Sequence, residues 1–342
     1  MPLVVAPRQR RLKNTFQKFR NTKQVKDIIA QAQSEKRARF SFELLPPLKG
    51  DGTEKVFEAI DTLKEFSPAF IHVTFHRELV KTTPLADGTI ERHIDRHRPG
   101  TVGISAAIKA RYGIDTVPHL ICGGHSKYDI EDLLIDMDFL GLDTLMALRG
   151  DAMKGEPSFV PHPQGHAHAA DLVRQISAMN RGEFLDPEDG VSHRSNFCIG
   201  VAGYPETHGD AISAEDDILR LKEKVDAGAD YVITQMFFDN RKYFDFVDKC
   251  QKVGINVPII PGIKPLSTLK HLDVLPRIFW CELPEDLRRR AARCTSNSDM
   301  RKFGVEWASE QSEELIKAGL PVIHYYSMGR TDNVAQIVSN VF

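Results

Sequence analysis

The 342-residue sequence lacks long apolar runs, and none approaches the roughly 18 residues that a membrane-spanning helix needs. It also lacks a Cys-x-x-Cys pair, although five cysteines are present. We therefore expect reduced thiols in a cytoplasmic protein that does not associate with membranes. A formal net charge of −2 provides no overall positive field, so nucleic acid is not an expected partner.

Motifs for metals and for phosphate loops are missing as well. The sequence contains no His-Glu-x-x-His spacing and no Gly-x-x-x-x-Gly-Lys-Ser/Thr loop. His162, His166 and His168 are closely spaced, but they lie in a segment that contains Pro and Gly and predicts a loop. We therefore expect no metal site.

The N-terminal 24 residues contain seven basic side chains and no acidic one. No apolar core follows them, which argues against a secretory signal, and the lack of serine argues against an organelle transit peptide. We interpret residues 1–24 as a solvated basic arm. No linker divides the remainder, so residues 25–342 are expected to form one domain.

Short β-like runs alternate with amphipathic helical stretches along this domain. The predicted strands are Ala38–Glu43, Phe70–Phe75, Thr116–Ile121, Thr144–Arg149, Phe197–Ala202, Tyr231–Gln235, Val257–Pro261 and Val322–Tyr326. Most are apolar on both faces, which is typical of parallel strands covered on both sides. The clearest helices are predicted over Thr53–Phe66, Tyr128–Leu140 and Ala214–Ala227. Gly141, Gly228 and Gly254 follow predicted helices and supply the left-handed residue that turns the chain towards the next strand.

Eight strands alternating with helices predict an α/β fold, specifically a (β/α)8 TIM barrel. We expect an N-terminal helix before the barrel and extra helices over residues 283–319, before the last strand. Residues 181–196 are polar and predict an irregular loop. A doubly wound open sheet is the alternative, but no Gly-x-Gly-x-x-Gly follows the first predicted strand.

Polar residues end nearly every predicted strand. In chain order they are Glu43, Thr74, His119, Arg149 with Gly150 and Asp151, Tyr204 with His208, Gln235, and Tyr326 followed by Arg330. In a barrel of this kind, the carboxyl ends of all strands meet at one mouth. Their convergence there predicts a functional site.

Glu43 is the first candidate for catalysis. Apolar residues flank it on both sides, and apolar surroundings would raise its pKa towards the value that a general acid needs near neutral pH. The alternative is a structural acid held in a salt bridge. Asp151 has the alternative of a helix cap, and His119 and His208 have the alternative of ordinary core histidines.

Eight motifs in chain order resemble those of methylenetetrahydrofolate reductases. They are Ser41–Pro47, His72–Phe75, Pro118–Leu120, Ala147–Asp151, Gly203–His208, Lys224–Asp230, Ile233–Asp239 and Ile259–Ile263. Each motif is weak alone, but eight in order at matching spacing are specific, from about residue 37 to the C-terminus. The resemblance implies noncovalent FAD. It also implies ping-pong reduction of 5,10-methylenetetrahydrofolate by NADH or NADPH, which supplies methyl groups for methionine synthesis.

The resemblance implies catalytic and substrate-binding roles for individual residues. Glu43 matches the general acid that donates a proton when the folate ring opens. Asp151 matches an aspartate that lies beside the flavin and contacts folate. Gln235 matches a glutamine that binds folate and, in the other half-reaction, nicotinamide. Arg330 matches a basic residue near the anionic glutamate tail of folate, and Tyr326 completes the expected substrate site.

Twelve positions match, or replace, positions that contact FAD in the family. They are Thr74, His119, Arg149, Gly150, Asp151, His168, Ala169, Tyr204, His208, Asp217, Arg220 and Lys224. Arg149 and Lys224 are the expected partners of the pyrophosphate, and Asp217 is the expected partner of the ribose hydroxyls. Glu223 stands where a basic residue helps to hold the phosphates, so we expect Arg220 and Lys224 to supply that charge.

The sequence also departs from the family pattern. Phe75-His76-Arg77 stands where Tyr-Gly and small residues are usual, and His168 stands where tyrosine is common. Leu275 replaces a phenylalanine that packs on NADH in some members, which leaves the choice between NADH and NADPH open.

Three other functions stay open at this point. One is another flavin-dependent barrel, such as one similar to proline dehydrogenase, which would bind FAD without oxidising NADH in a folate-dependent way. A second is a folate-binding barrel without activity, against which the intact Glu43, Asp151 and Gln235 argue. The third is a reductase that receives electrons from a partner protein. We expect a homo-oligomer of two or four subunits.

Overall fold

The computed structural model describes residues 23–153, 156–187 and 193–342, so nearly all of the predicted basic arm lies outside the described residues. The strands are β1 (Arg39–Leu44), β2 (Ile71–Val73), β3 (Leu79–Pro84), β4 (Ile90–Asp95), β5 (Thr116–Ile121), β6 (Thr144–Leu148), β7 (Cys198–Gly203), β8 (Tyr231–Thr234), β9 (Ile259–Ile260), β10 (Gly262–Ile263) and β11 (Val322–Tyr325). The helices are α1 (Val25–Glu35), α2 (Glu54–Leu63), α3 (Thr101–Tyr112), α4 (Lys127–Phe139), α5 (Ala169–Asn180), α6 (Ala214–Asp226), α7 (Asn240–Lys252), α8 (His271–Phe279), α9 (Glu285–Ala291), α10 (Asn297–Lys317) and α11 (Thr331–Val341).

The main sheet closes into a parallel barrel. Its strand order is β10-β11-β1-β2-β5-β6-β7-β8-β9. Strands β9 and β10 are two halves of one strand, interrupted at Pro261, since β9 pairs with β8 and β10 pairs with β11. The ring therefore has eight strands and no free edge, which confirms the predicted (β/α)8 barrel and excludes an open doubly wound sheet.

All eight predicted strands are present, with ends that differ by a few residues. One element was missed, an antiparallel hairpin of β3 and β4 that lies outside the barrel sheet. Both runs are rich in polar residues, so neither matched the apolar pattern used to find barrel strands. The available sequence signal was the Asp87-Gly88 turn between them, where Gly88 has a φ of 83°.

The turns from helix to strand follow the sequence prediction. Gly141, Gly228 and Gly254 have φ values of 65°, 120° and 82°, in the region that favours glycine. At the start of α6, the backbone amide of Asp216 donates to the Ser213 hydroxyl at 3.1 Å. This bond satisfies one of the free amides at the helix start.

Helix α1 covers the amino end of the barrel. Its Val25, Ile28 and Ile29 are buried against inward side chains of the strands, including Phe70 and Tyr231. The predicted extra helices are α9 and α10, which precede β11. With the amino end covered, polar groups inside the barrel face the carboxyl end. No helix among the described residues is long and apolar enough to cross a membrane.

Candidate active site

Three neighbouring strands place a row of side chains at the carboxyl mouth. Phe42 of β1 and Ile263 of β10 both pair in register with Tyr325 of the intervening strand β11. Glu43 follows Phe42, Lys264 follows Ile263 and Tyr326 follows Tyr325 along the chain. These three residues therefore lie side by side. Neighbouring strands are about 4.8 Å apart, which puts Glu43 and Lys264 two strand spacings from each other.

Glu43 is an uncharged acid over part of the neutral range. Burial raises the pKa of its carboxyl to about 7, while Lys264 and the backbone amide of Met328 act in the opposite direction. The Ser327 hydroxyl donates to the Glu43 carbonyl oxygen at 2.7 Å, which ties the end of β1 to the loop after β11. No salt bridge joins Glu43 to another described residue, so the alternative of a structural ion-paired acid is not supported.

Tyr326 is fixed between two strands. Its hydroxyl donates to the Thr234 carbonyl oxygen at 2.6 Å. Gly262 makes the space for this ring, because a Cβ at Gly262 would lie 2.6 Å from Tyr326 Cε2 and would also meet the Thr234 carbonyl oxygen. Burial raises the pKa of the Tyr326 hydroxyl far above its ordinary value, so the hydroxyl remains a donor at physiological pH.

Lys264 was missed by the sequence interpretation. Its side chain is buried, and its ammonium donates to the Tyr326 carbonyl oxygen at 3.0 Å. Burial lowers the pKa of Lys264 to about 8, Glu43 opposes that change and Arg330 adds to it. The sequence signal was available, because a lysine follows directly after the Ile259–Ile263 motif, three residues beyond the predicted strand end at Pro261.

A cluster of buried histidines forms the floor of the mouth. His119 Nε2 and His72 Nδ1 share a hydrogen bond of 3.0 Å, and the rings of His72 and His324 are 4.7 Å apart. Ser41 Oγ and His324 Nδ1 are 2.9 Å apart. Burial lowers the pKa of His119 to about 3, so this floor is neutral at physiological pH. Thr74, at the end of β2, donates its hydroxyl to the Leu44 carbonyl oxygen at 3.2 Å.

The rim after β6 carries Arg149, Gly150 and Asp151. Gly150 has a φ of 86°, and Arg149 forms an ion pair with Asp210 at 2.8 Å. Asp151 is exposed, and its carbonyl oxygen accepts a bond from Arg77 at 3.4 Å. No helix begins in the described residues between Asp151 and Ala169, so the interpretation of Asp151 as a helix cap is wrong.

The rim after β7 combines aromatic and charged groups. The rings of Tyr204 and His208 are 4.6 Å apart, and His208 also lies against Trp280. The backbone amide of His208 donates to the Asp217 carboxylate at 2.9 Å. Lys224 donates to the Ala202 carbonyl oxygen at 2.6 Å, and burial lowers its pKa to about 8.

Of the four remaining predicted residues, three are exposed, and the fourth forms a hydrogen bond with the residue next to it in the chain. Gln235 follows β8, and its side-chain oxygen accepts the Met236 amide at 2.9 Å. His168 is exposed immediately before α5, which begins at Ala169. Arg220 is exposed on α6, where its guanidinium binds Asp216 at 3.3 Å. Arg330 is exposed at the start of α11, within electrostatic reach of Lys264.

No group of three or more metal-ligating side chains is assembled within the described ranges. Among the three closely spaced histidines, His166 is buried and its Nε2 lies 2.5 Å from the Gln175 side-chain oxygen. That histidine is therefore occupied by a structural hydrogen bond.

Comparison with known proteins gives a consistent result over most of the chain. A family model described as methylenetetrahydrofolate reductase matches residues 28–341. The chain is 30% identical over 310 residues to 5,10-methylenetetrahydrofolate reductase of Escherichia coli, covering 90% of this chain and 92% of that protein. It is 31% identical over 304 residues to the protein of that name from Pectobacterium carotovorum, covering 88% and 89%.

Longer relatives match as well. The Arabidopsis thaliana protein named methylenetetrahydrofolate reductase (NADH) 1 is 30% identical over 327 residues, which cover 93% of this chain and 50% of that protein. The chain thus spans about half the length of the plant relatives that it matches.

Proposed function

Since the chain belongs to the methylenetetrahydrofolate reductase family, we propose that it reduces 5,10-methylenetetrahydrofolate to 5-methyltetrahydrofolate, with FAD as cofactor and NADH or NADPH as donor. The observation that carries this proposal is the buried Glu43 carboxyl, whose pKa lies at about 7 in the mouth of the barrel. A group with that pKa holds a transferable proton near neutral pH.

Glu43 supplies the proton that the folate step requires. The five-membered ring of the substrate opens when a C–N bond breaks, and the departing nitrogen must be protonated. The Glu43 O–H bond breaks as the new N–H bond forms, which leaves a carboxylate and an electrophilic iminium carbon. FAD, when bound, would carry a hydride from the nicotinamide to that carbon in a ping-pong sequence.

The other polar groups bind and orient the reactants. Asp151 and Gln235 end β6 and β8 on the side of the mouth across from Glu43, and we assign them to flavin and folate contacts. Arg330 is exposed at the entrance, where its planar guanidinium suits the carboxylates of the folate tail. Tyr326 borders the same space from the row that contains Glu43.

The flavin has a suitable set of donors on the β6–β7 side. The positive charge of Arg149 is close enough to lower the pKa of Lys224, and the Asp217 carboxylate acts on Lys224 in the opposite direction. Two converging cations suit a pyrophosphate dianion, and a carboxylate suits ribose hydroxyls. The start of α5 at Ala169 adds backbone amides, and Thr74, His119, Tyr204 and His208 border the same mouth.

The first prediction concerns the cofactor. The purified protein is expected to be yellow, with a flavin absorption spectrum that NADH or NADPH bleaches in the absence of oxygen. Comparing the bleaching rates with the two donors identifies the preferred one. A colourless protein that does not take up FAD would contradict the proposal, and a flavin that neither donor bleaches would favour reduction by a partner protein.

The second prediction distinguishes Lys224 from Arg220, two residues of α6 that are candidates for binding the FAD phosphates. Lys224→Met is expected to weaken FAD binding by at least about tenfold, because a buried charge-assisted contact is lost. Arg220→Met is the matched control, and its effect is expected to be smaller because the exposed guanidinium is already paired with Asp216 and screened by solvent. Flavin retained after dialysis measures both. Equal losses would show that α6 holds the phosphates through both residues.

We also propose that the protein forms a homo-oligomer of two or four subunits. Light scattering on the purified protein measures its mass against the 38.5 kDa of one chain.

A further inference from the structure

Lys264 occupies a place inside the barrel that the assigned roles do not explain. It is 3% exposed, although it lies at the open end of a strand. Side chains alternate along a strand, and a Cβ on Gly262 would point at the Tyr326 ring inside the mouth. Lys264, two residues further on, therefore has its side chain on the same inner side.

The lysine ammonium is held in a fixed position, two strands away from Glu43 in the same row. It donates to the Tyr326 carbonyl oxygen at 3.0 Å, and Tyr326 is the residue between Lys264 and Glu43 in the row. Tyr326 is itself anchored by its hydroxyl bond to Thr234. A buried ammonium is costly unless a negative or strongly polar group faces it. Glu43 is the carboxyl whose charge acts on this ammonium, raising the pKa of Lys264 against the effect of burial.

We propose that Lys264 is a positioning residue that stabilises the Glu43 carboxylate formed when the proton leaves for the folate nitrogen. This inference rests on the proposed function, since it assigns Lys264 to the proton-donating half of that reaction. No additional reactant is needed. The proton moves from the Glu43 oxygen to the folate nitrogen, the C–N bond electrons stay with that nitrogen, and the new negative charge remains on Glu43 near the ammonium.

The groups around Glu43 favour this role for Lys264 over any other residue. On β2, the partner residue His72 belongs to the neutral histidine floor, because burial holds its pKa far below the ordinary value. After β11, Tyr326 is a neutral hydroxyl, and Met328 offers only a backbone amide. Arg330 lies beyond Lys264, where it repels the ammonium. Lys264 is thus the side-chain cation that acts on Glu43.

The positive charge of Lys264 determines the direction in which it shifts the pKa of Glu43. An adjacent ammonium favours the ionised carboxyl and so lowers the pKa of Glu43, against the effect of burial. Removing the ammonium is expected to keep Glu43 protonated to higher pH and to make it a weaker acid. A shift of one pH unit corresponds to about a tenfold change in the ionisation constant.

The test compares Lys264→Met and Lys264→Gln with Lys264→Arg in the FAD-loaded protein. Lys264→Met removes the charge, and Lys264→Gln removes the charge but keeps a donor for the Tyr326 carbonyl oxygen. Lys264→Arg keeps the charge. The rate at which 5,10-methylenetetrahydrofolate reoxidises the reduced flavin is measured between about pH 5.5 and pH 9.5, a range that brackets the pKa of Glu43. In parallel, infrared titration follows the protonated carboxyl band that is absent from Glu43→Gln.

In Lys264→Met and Lys264→Gln, the alkaline limb of the rate profile and the infrared band are expected to shift to higher pH by about one unit, and the plateau rate is expected to fall by about tenfold. Lys264→Arg is expected to keep a midpoint near that of the wild type. An unmoved limb and band in both neutral variants would overturn the role of Lys264 and leave the proposed function intact. No folate-dependent reoxidation by the wild-type protein at any pH would contradict the proposed function instead.

Discussion

Glu43→Gln is expected to slow the folate-dependent reoxidation of the flavin by about 100-fold or more, while NADH or NADPH still reduces the flavin at close to the wild-type rate. Glutamine preserves the shape and the polarity of the side chain, but its amide has no acidic proton to transfer near neutral pH. Only the folate step needs that proton, since hydride transfer from a nicotinamide to the flavin opens no C–N bond. Stopped-flow absorbance measures the two half-reactions separately.

A second carboxyl provides a matched control for Glu43. Burial also raises the pKa of Glu206 to about 7, but its carboxylate accepts the Glu282 amide at 3.1 Å, away from the row of Glu43, Tyr326 and Lys264. Glu206→Gln is expected to keep folate reduction because glutamine still offers an oxygen to that amide. Equal loss of both half-reactions in Glu43→Gln would mean that Glu43 has a structural role.

Gly262→Ala is expected to destabilise the protein and to impair the site at the same time. The added Cβ would meet the Thr234 carbonyl oxygen and the Tyr326 ring, and neither can move freely because the Tyr326 hydroxyl bonds that same oxygen. Overpacking of this kind costs about 1–3 kcal/mol of the unfolding free energy. Displacement of Tyr326 would also disturb the carbonyl oxygen that holds Lys264.

The control for this prediction is Gly103→Ala in α3, where an added Cβ meets no other atom within 4 Å. Alanine is the better helix former, so this variant is expected to be stabilised by roughly 0.5–1 kcal/mol. Thermal unfolding and folate-dependent reoxidation are measured for both variants. A Gly262→Ala protein with wild-type stability and wild-type reoxidation would show that the row tolerates movement of Tyr326.

The barrel could be predicted because its strands carry a strong local pattern. Runs such as Phe197–Ala202 are apolar on both faces, and glycines at 141, 228 and 254 mark the turns. The site was predictable to the extent that strand ends converge, which brought Glu43, Asp151 and Gln235 to one mouth. The family motifs then assigned each of them a role that remains to be tested.

Burial and register were not predictable, because they depend on which strands become neighbours. The carboxyl of Glu43 has a pKa of about 7 only because the closed barrel buries it. Lys264 follows a strand-end motif in the sequence, but its place in the row with Glu43 depends on the pairing of β10 with β11 and of β11 with β1. The exposure of Arg220, paired with Asp216, also depends on the packing of α6.

We propose that one barrel mouth serves two separate hydride transfers, from the nicotinamide to the flavin and then from the flavin to folate. The most direct measurement reduces the FAD-loaded protein with NADH without oxygen, removes all nucleotide by gel filtration, and then adds 5,10-methylenetetrahydrofolate. We expect the yellow colour to return and about one 5-methyltetrahydrofolate to form per flavin. A flavin that stays bleached, or product that forms only when NADH is present again, would contradict it.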